Sequence, residues 1–449
     1  MFYLNKDRPL TIDLLKKMID KFRLEVEPKL TKYKNYYDGI QAILEKKYSD
    51  DSKPCNKTVI NYCKNIVDSY CGYIATPGHI SYSSQLDIED IMDVLRYNDY
   101  QAQDADFLLD ALVYGRASEL MYIDDQSKTR FRLIDPAQCF GVYDDSLTGD
   151  LMYFVRMYKI SDWDNDDKYN VDVYTPAVIQ HYQMTGSQGM LSFIGEEPHY
   201  FGQCPANIFN LPDEKSIFDC IITLQDTVNE LLSAEVDDYS AFCDAYLTLE
   251  GMDAESDDIA QMKQNRVLLL PEGARAAWLT KNSSDAQVEN ILKRTHDSIY
   301  RIAQCPDFSS ETFVGGVSSG IAIRYRLCGM ENKAGKIESA MKKALQRRIE
   351  VICGIVSLQL GEAVWRDIQI DFKRNIPEDE ASIINLVNSL KGTVSDRTLL
   401  AQIPFITDVN EELVAVQEQK QENMKLYGFG DNLTGVEDDD GDTDDTDTI

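Results

Sequence analysis

The residues whose spacing most resembles reactive chemistry are Gly316-Val317-Ser318-Ser319-Gly320. They fit GxSxG, the elbow that presents a serine nucleophile between a strand and a helix. That chemistry needs a later histidine to take the serine proton. The four histidines are His79, His181, His199 and His296, all upstream, so the Ser…Asp…His order cannot be completed. The segment reads instead as a Gly/Ser loop leading into a helix. Gly335-Lys336-Ile337, preceded by Lys333-Ala334, lacks the first glycine and the hydroxyl of a phosphate-binding loop. The motif HExxH and the EF-hand spacing are absent as well.

Candidate metal ligands fare no better. Asp162, Asp164, Asp166 and Asp167 place alternate carboxylates as a Ca²⁺ loop would, but the turn glycine and distal Glu are missing. They read as a solvated hairpin tip. Cys55, Cys63 and Cys71 are eight residues apart, the other cysteines are scattered singly, and no CxxC occurs. Buried free thiols in a reducing compartment are the expectation. Neither catalytic residues nor a metal or cofactor is expected, and the protein reads as a non-enzyme. The basic cluster Lys333, Lys336, Lys342, Lys343, Arg347 and Arg348 reads as a solvated helix face or a source of ion pairs between subunits, ahead of a DNA contact.

Charge narrows the function further. The net charge is -31, and from Asp431 onward nine carboxylates stand without a Lys or Arg. Such a chain cannot hold duplex DNA through counterion release, which needs a basic surface. Either DNA is no partner, or it is one that must not stick. No apolar run approaches the roughly 20 residues of a membrane span. The N-terminus lacks a signal-peptide pattern, so synthesis in a cytosol is expected. With 449 residues, 43% of them hydrophobic, the chain is long enough for two to four folding units.

The elements that would position these residues follow from periodicity. Helical spacing covers 10–48, with a break at Tyr36-Tyr37-Asp38-Gly39, then Val59–Tyr73, ended by Gly72 and Pro77-Gly78. One helix is predicted over Ile88–Tyr114. From Ala117 to Tyr200, β-branched and aromatic segments predict a mostly antiparallel sheet of five or six strands, with a hairpin at Asp144–Gly149. A long amphipathic helix spans Ser216–Phe242, its apolar stripe running from Ile217 through Ile221, Leu224 and Val228. Candidate strands at Tyr246–Leu249 and Val267–Leu270 precede a helix over Asp285–Ala303. The loop Ser309–Gly320 leads into a helix over Ile321–Leu360. A strand at Ile368–Phe372 and helices at Glu378–Leu390, Ser395–Ile403 and Asn410–Leu426 follow. The tail from about Gly428 should be disordered.

In this order and spacing the chain resembles the portal proteins of tailed phages, in the siphophage branch. The resemblance rests on Tyr36-Tyr37-Asp38-Gly39, Asn56–Asn61, Ile66–Tyr73, Leu133-Ile134-Asp135-Pro136 and Asp237–Leu247. Its most specific part is Cys305-Pro306-Asp307-Phe308, then Phe313–Ile323 and Leu327–Glu331. Together these cover roughly residues 30–410.

The resemblance implies an α+β, mostly helical portal fold with an antiparallel β-rich wing. It implies the wing at 1–215, stem helices at 216–244 and 285–307, and a small α/β clip at 245–284. A tunnel loop at 308–320, including Ser309, Ser310, Gly315, Gly316, Ser318, Ser319 and Gly320, would line the channel. The long helix and wing return would occupy 321–377, a helical crown 378–427 and an acidic tail 428–449. It further implies a homo-oligomeric, dodecameric ring at one capsid vertex of the virion, assembled in the host bacterial cytoplasm. Its partners would be terminase, a head-completion adaptor, major capsid and scaffolding proteins, and translocating double-stranded DNA bound without sequence preference; no membrane is involved. Asp219, Asp226, Glu230, Asp237, Lys333 and Lys336 are candidate lumen charges, and an electronegative wall would let DNA slide. The competing reading is an acidic oligomeric scaffold or adaptor.

Overall fold

The computed structural model describes residues 2–47, 54–159, 168–186, 189–242, 246–250, 273–279, 285–309, 320–360, 364–374, 387–400, 403, 406 and 409–426. They fall into two units, Met1–Asn375 and Ile376–Ile449.

The first unit starts with a short strand, β1 (Phe2–Leu4), and the helices α1 (Ile12–Lys21) and α2 (Glu27–Tyr37). A π-turn over Phe22–Val26 joins the helices where Pro28 enters α2 without an N–H to donate. Gly39, at φ +84°, ends the run as the sequence break predicts. Helix α3 (Tyr62–Ile74) is N-capped by Asn61, whose side chain accepts from Lys64 N–H.

The single helix predicted over Ile88–Tyr114 is in fact two, α4 (Glu89–Tyr97) and α5 (Tyr100–Tyr114). Asp99 takes a left-handed φ of 51° between them. Buried Asn98 explains the break. Its amide donates to Val94 O at 2.7 Å and Thr129 O at 3.0 Å and accepts from Phe131 N–H at 3.0 Å, tying the corner to a strand.

The predicted single sheet is likewise two. Strands β3 (Arg116–Ile123) and β4 (Thr129–Ile134) pair with β10 (Ala206–Asn210) in the order β10-β3-β4. The larger sheet contains β5 (Cys139–Asp144), β6 (Leu151–Lys159), β7 (Lys168–Tyr174), β8 (Val178–Thr185) and β9 (Leu191–Pro198), in the order β1-β5-β6-β7-β8-β9. Its ladders are antiparallel except β1 with β5. Leu120 and Ile134 of the small sheet pack with Cys139, Phe154 and Tyr174 of the large one, so alternation alone could not separate the sheets. The hairpin at Asp144–Gly149 forms, closed by Asp150 N–H donating to the Asp144 carboxylate at 2.9 Å. The acidic run Asp162–Asp167 lies outside the described residues. A two-stranded ladder pairs β2 (Ile80–Ser83) with a late strand, Gln369–Phe372.

Three long helices complete the unit. Helix α6 (Ile222–Phe242) follows a 3-10 turn over Asp219–Ile221. Beyond it β11 (Tyr246–Glu250) pairs antiparallel with β12 (Arg275–Leu279), and α7 (Asp285–Ala303) follows. The candidate strand Val267–Leu270 lies outside the described residues. Helix α8 (Gly320–Leu360) runs for 41 residues, followed by α9 (Val364–Asp367) and β13 (Gln369–Phe372). The second unit contains α10 (Asp396–Leu400) and α11 (Val409–Leu426); most of the helix predicted over Glu378–Leu390 lies outside the described residues. Among the described residues no helix is long and apolar enough to cross a membrane.

The nine described cysteines are all free. Cys63, Cys139, Cys204, Cys305 and Cys353 are buried as expected, and burial pushes the Cys63 and Cys204 thiols up to about 12. Cys55, Cys220 and Cys328 are exposed, contrary to that expectation, because each falls on the solvent side of its segment.

Candidate functional site at the roots of the long helices

The apolar stripe predicted for α6 is only part of its buried face. Gln225, Asn229, Ser233 and Asp237 are also buried, four residues apart along one side of the helix. Each accepts a backbone N–H from the segment Asn56–Tyr62. Asp237 takes Asn56 N–H at 2.6 Å, Ser233 takes Thr58 at 2.9 Å, and Asn229 and Gln225 take Ile60 and Tyr62 at 3.0 Å. Four residues of helix advance about 6.0 Å and two residues of extended chain about 6.6 Å, so the rungs stay in register. Every second amide of the segment is thereby satisfied without a partner strand.

The turn before α6 and the first turns of the helix are fastened by tyrosines of α2. Tyr33 donates to Asp219 at 2.6 Å and Tyr36 to Asp226 at 2.8 Å. Burial pushes the Asp219 carboxyl up, but the Tyr33 hydroxyl and Lys215 outweigh it and hold the group below the usual carboxylate range. Upstream, Gly115 closes α5 at φ +81°, with Leu211 N–H donating to its carbonyl at 3.0 Å. A Cβ there would stand 2.6 Å from the Lys215 backbone, so the close approach requires glycine.

The C-terminal end of α7 meets α3 and α8. Tyr70 donates to Ala303 O at 3.1 Å and Gln304 O at 3.0 Å; Lys333 Nζ donates to Ala303 O at 3.3 Å and Ile217 O at 3.4 Å. A cation at a helix C-terminus satisfies orphan carbonyls and opposes the negative end of the dipole. Burial lowers the Lys333 ammonium. Tyr62 meets the rings of His296 and Tyr300 edge-on, packing α3 against α7.

Helix α8 is fixed by charge. Arg348 is fully buried, with its guanidinium 4.4 Å from the centre of the Phe131 ring. It bonds Asp104 of α5 and, at 2.9 and 3.0 Å, both oxygens of Glu119 of β3. Tyr82 donates to Asp104 at 2.7 Å and Asn207 to Glu119 at 2.6 Å, so each carboxylate has a second donor beside the guanidinium. Burial disfavours the Arg348 cation, but the two carboxylates outweigh that and hold it charged. Nearer the start of α8, Glu331 accepts from Tyr73 at 2.6 Å and from Arg374 at 3.0 Å.

The candidate lumen charges therefore occupy different surroundings. Asp219, Asp226 and Asp237 bond partners within the chain, Asp237 adding Lys46 at 3.1 Å. Lys333 caps α7, whereas Glu230 and Lys336 are exposed. Of the tunnel-loop residues, Ser309 donates through N–H and Oγ to Asp307 at 3.0 and 2.6 Å, and Gly320 opens α8. Ser310, Gly315, Gly316, Ser318 and Ser319 lie outside the described residues. The basic cluster is not one solvated face. Arg348 is core, Lys342 pairs with Glu338 and Arg347 with Glu350, and Lys336 and Lys343 face an open groove. Sequence reading missed the ladder on α6; polar residues repeating every four places from Gln225 to Asp237 were its visible signal.

The segments that carried the resemblance thus converge on the helix roots: Tyr36 on Asp226, Asn56–Asn61 on the ladder, Tyr70 on α7 and Tyr73 on Glu331. Comparison with known proteins agrees. The chain is 22% identical over 439 residues to the portal protein of Bacillus phage SPP1, covering 92% of this chain and 84% of that protein. It is 19% identical to the portal protein of Clostridium phage phiCD119, covering 89% of this chain and 95% of that one. The model of the family described as phage portal protein, SPP1 Gp6-like, matches residues 16–426, and this chain belongs to that family.

Proposed function

We propose that the chain closes into a twelve-membered ring at one capsid vertex of the virion, enclosing the channel through which DNA is packaged and ejected. The observation that carries this reading, beside family membership, is the excursion α6–β11–β12–α7, two helices rooted side by side in a large α+β unit with a small strand pair between them. The helices would be the stem and residues 245–284 the clip, where terminase and then a head-completion adaptor would dock. Residues 308–320 would form the tunnel loop, 378–427 the crown, and 1–215, with the returning helix at 321–377, the wing among major capsid and scaffolding proteins. Assembly would take place in the host bacterial cytoplasm.

The charge of -31 supports a channel that repels phosphate and does not bind it. Because Asp219, Asp226 and Asp237 hold the fold together, Glu230 is the strongest of the proposed lumen carboxylates, and Lys336 the cation left to act between molecules.

Native mass measurement and electron microscopy of the purified full chain at moderate salt test the reading. A ring of about 613 kDa, twelve copies of a 51.1 kDa chain, is expected. A strict monomer at every concentration would favour the acidic scaffold instead.

A further inference from the structure

Ring closure by rotation requires each subunit to offer two different, complementary faces. One feature of the first unit has the character of a receiving face. Helix α8, β10 and the β5–β6 hairpin border an open groove of about 1530 Å³. Leu151, Ile208 and Ala340 give it a partly exposed apolar floor, and Lys336 and Lys343 stand exposed on its α8 side. Seven residues separate the two lysines, placing them about 10.5 Å apart along one side of the helix. Neither meets a carboxylate among the described residues. In a chain this acidic, two unpaired cations beside apolar surface select an acidic, partly apolar occupant.

The strand β9 has that character. It ends the order of the large sheet, so among the described residues no strand pairs with its outer edge. Natural sheets cover such edges or blunt them, and β9 is blunted only in part, by a bulge beside Ile194 and by Pro198 at its end. Here Phe193, edge-on to Tyr182, is 50% and Ile194 61% exposed, Met190 just before the strand is 88% exposed, and Glu196 and Glu197 follow, the latter 3.6 Å from His181. We propose that β9 of one copy of this chain docks into the α8–β10 groove of the next. Successive side chains of a strand face opposite ways, so the glutamate on the groove-facing side would meet Lys336 and Lys343, and the apolar residues there would cover the floor. This inference rests on the ring reading and adds the pair of surfaces that joins neighbours in the wing.

The test uses the full chain and two charge reversals, K336E/K343E and E196K/E197K, each checked for an unchanged melting curve. Each is expected to weaken ring assembly by about tenfold or more in native mass titrations, and combining them should restore it. In rings assembled from isotope-labelled and unlabelled chains, carbodiimide should join Lys336 or Lys343 to Glu196 or Glu197 across the label boundary. Wild-type rings with both reversals assembling normally would overturn this docking and leave the portal ring intact. Crosslinks from the lysines to the acidic residues 437–447 would overturn it in favour of the chain's own tail. A wild-type chain that never leaves the monomer would overturn the docking together with the ring.

Discussion

Helix α6 is held along four successive turns by side chains that each take one backbone amide, whereas the deepest attachment of α8 is a single guanidinium buried between two carboxylates. Both arrangements fix a long helix to the same unit, but they should fail differently. A side-chain-to-backbone rung contributes on the order of 1 kcal/mol, and loss of one leaves the others in place. A buried ion cluster behaves as a whole, because removal of one member leaves its partners charged in a low-dielectric interior. The ladder suits a helix root that must tolerate local opening. The cluster suits a joint with one permitted geometry, since Arg348 joins α5, β3 and α8 together.

The largest effect should come from the cluster. Arg348→Ala strands Asp104 and Glu119 and should cost about 3–5 kcal/mol of unfolding free energy, read as a lower denaturation midpoint. Combining Arg348→Met with Asp104→Asn and Glu119→Gln should recover much of that. A triple variant no more stable than Arg348→Ala would show that shape, not charge, makes the joint.

The ladder should respond less and locally. Asn229→Ala leaves the Ile60 N–H without its acceptor and also removes a bond to Gln41, for about 1–3 kcal/mol. Amide exchange should quicken at Ile60 and Tyr62 while β3 and β4 keep their protection. Equal acceleration in both regions would erase the distinction between distributed and concentrated attachment.

The smallest effect sharpens the contrast on a single helix. Asp104 and Asp110 both lie on α5, but only the first faces a buried arginine. Burial, then Asp135 and Asp106, push the Asp110 carboxyl up to about 7. A folded-state value above the unfolded one means that stability from this group is fully present below about pH 4 and is lost as pH rises through about 7. Asp110→Asn should therefore match the parent near pH 4 and exceed it by about 1 kcal/mol at pH 8, an amount moderated by the group's partial exposure. Parallel stability curves across that range would mean Asp110 is solvated well enough to ionise freely.

Much of this architecture was legible before any coordinates. The span Asp285–Ala303 matches its helix to the residue, and Ile321–Leu360 falls one residue short, because long apolar periodicity with clear stop residues leaves little freedom. Tyr246–Leu249 lies within β11. The failures have a common cause. The break at Asn98-Asp99 depends on a hydrogen bond to β4, and the division of one sheet into two depends on which strands meet, and periodicity reports neither. The carboxylates of α6 and of the turn before it fall in the same class. Their spacing off the apolar stripe suggested outward-facing charge, and only the positions of Tyr33, Tyr36 and Asn56 assigned three of them inward partners.

Most of the secondary elements, the acidic net charge that disfavours a phosphate backbone, and the order of motifs that marks the family can be read from the chain alone. These depend on residue type and short spacing, which the chain carries locally. Which polar residues are structural follows from the fold. The ladder bonds join residues 163 to 181 positions apart, and the Arg348 cluster spans 229 and 244. A carboxylate's role is set by what stands within about 3 Å of it, and at such separations that neighbour is chosen by packing.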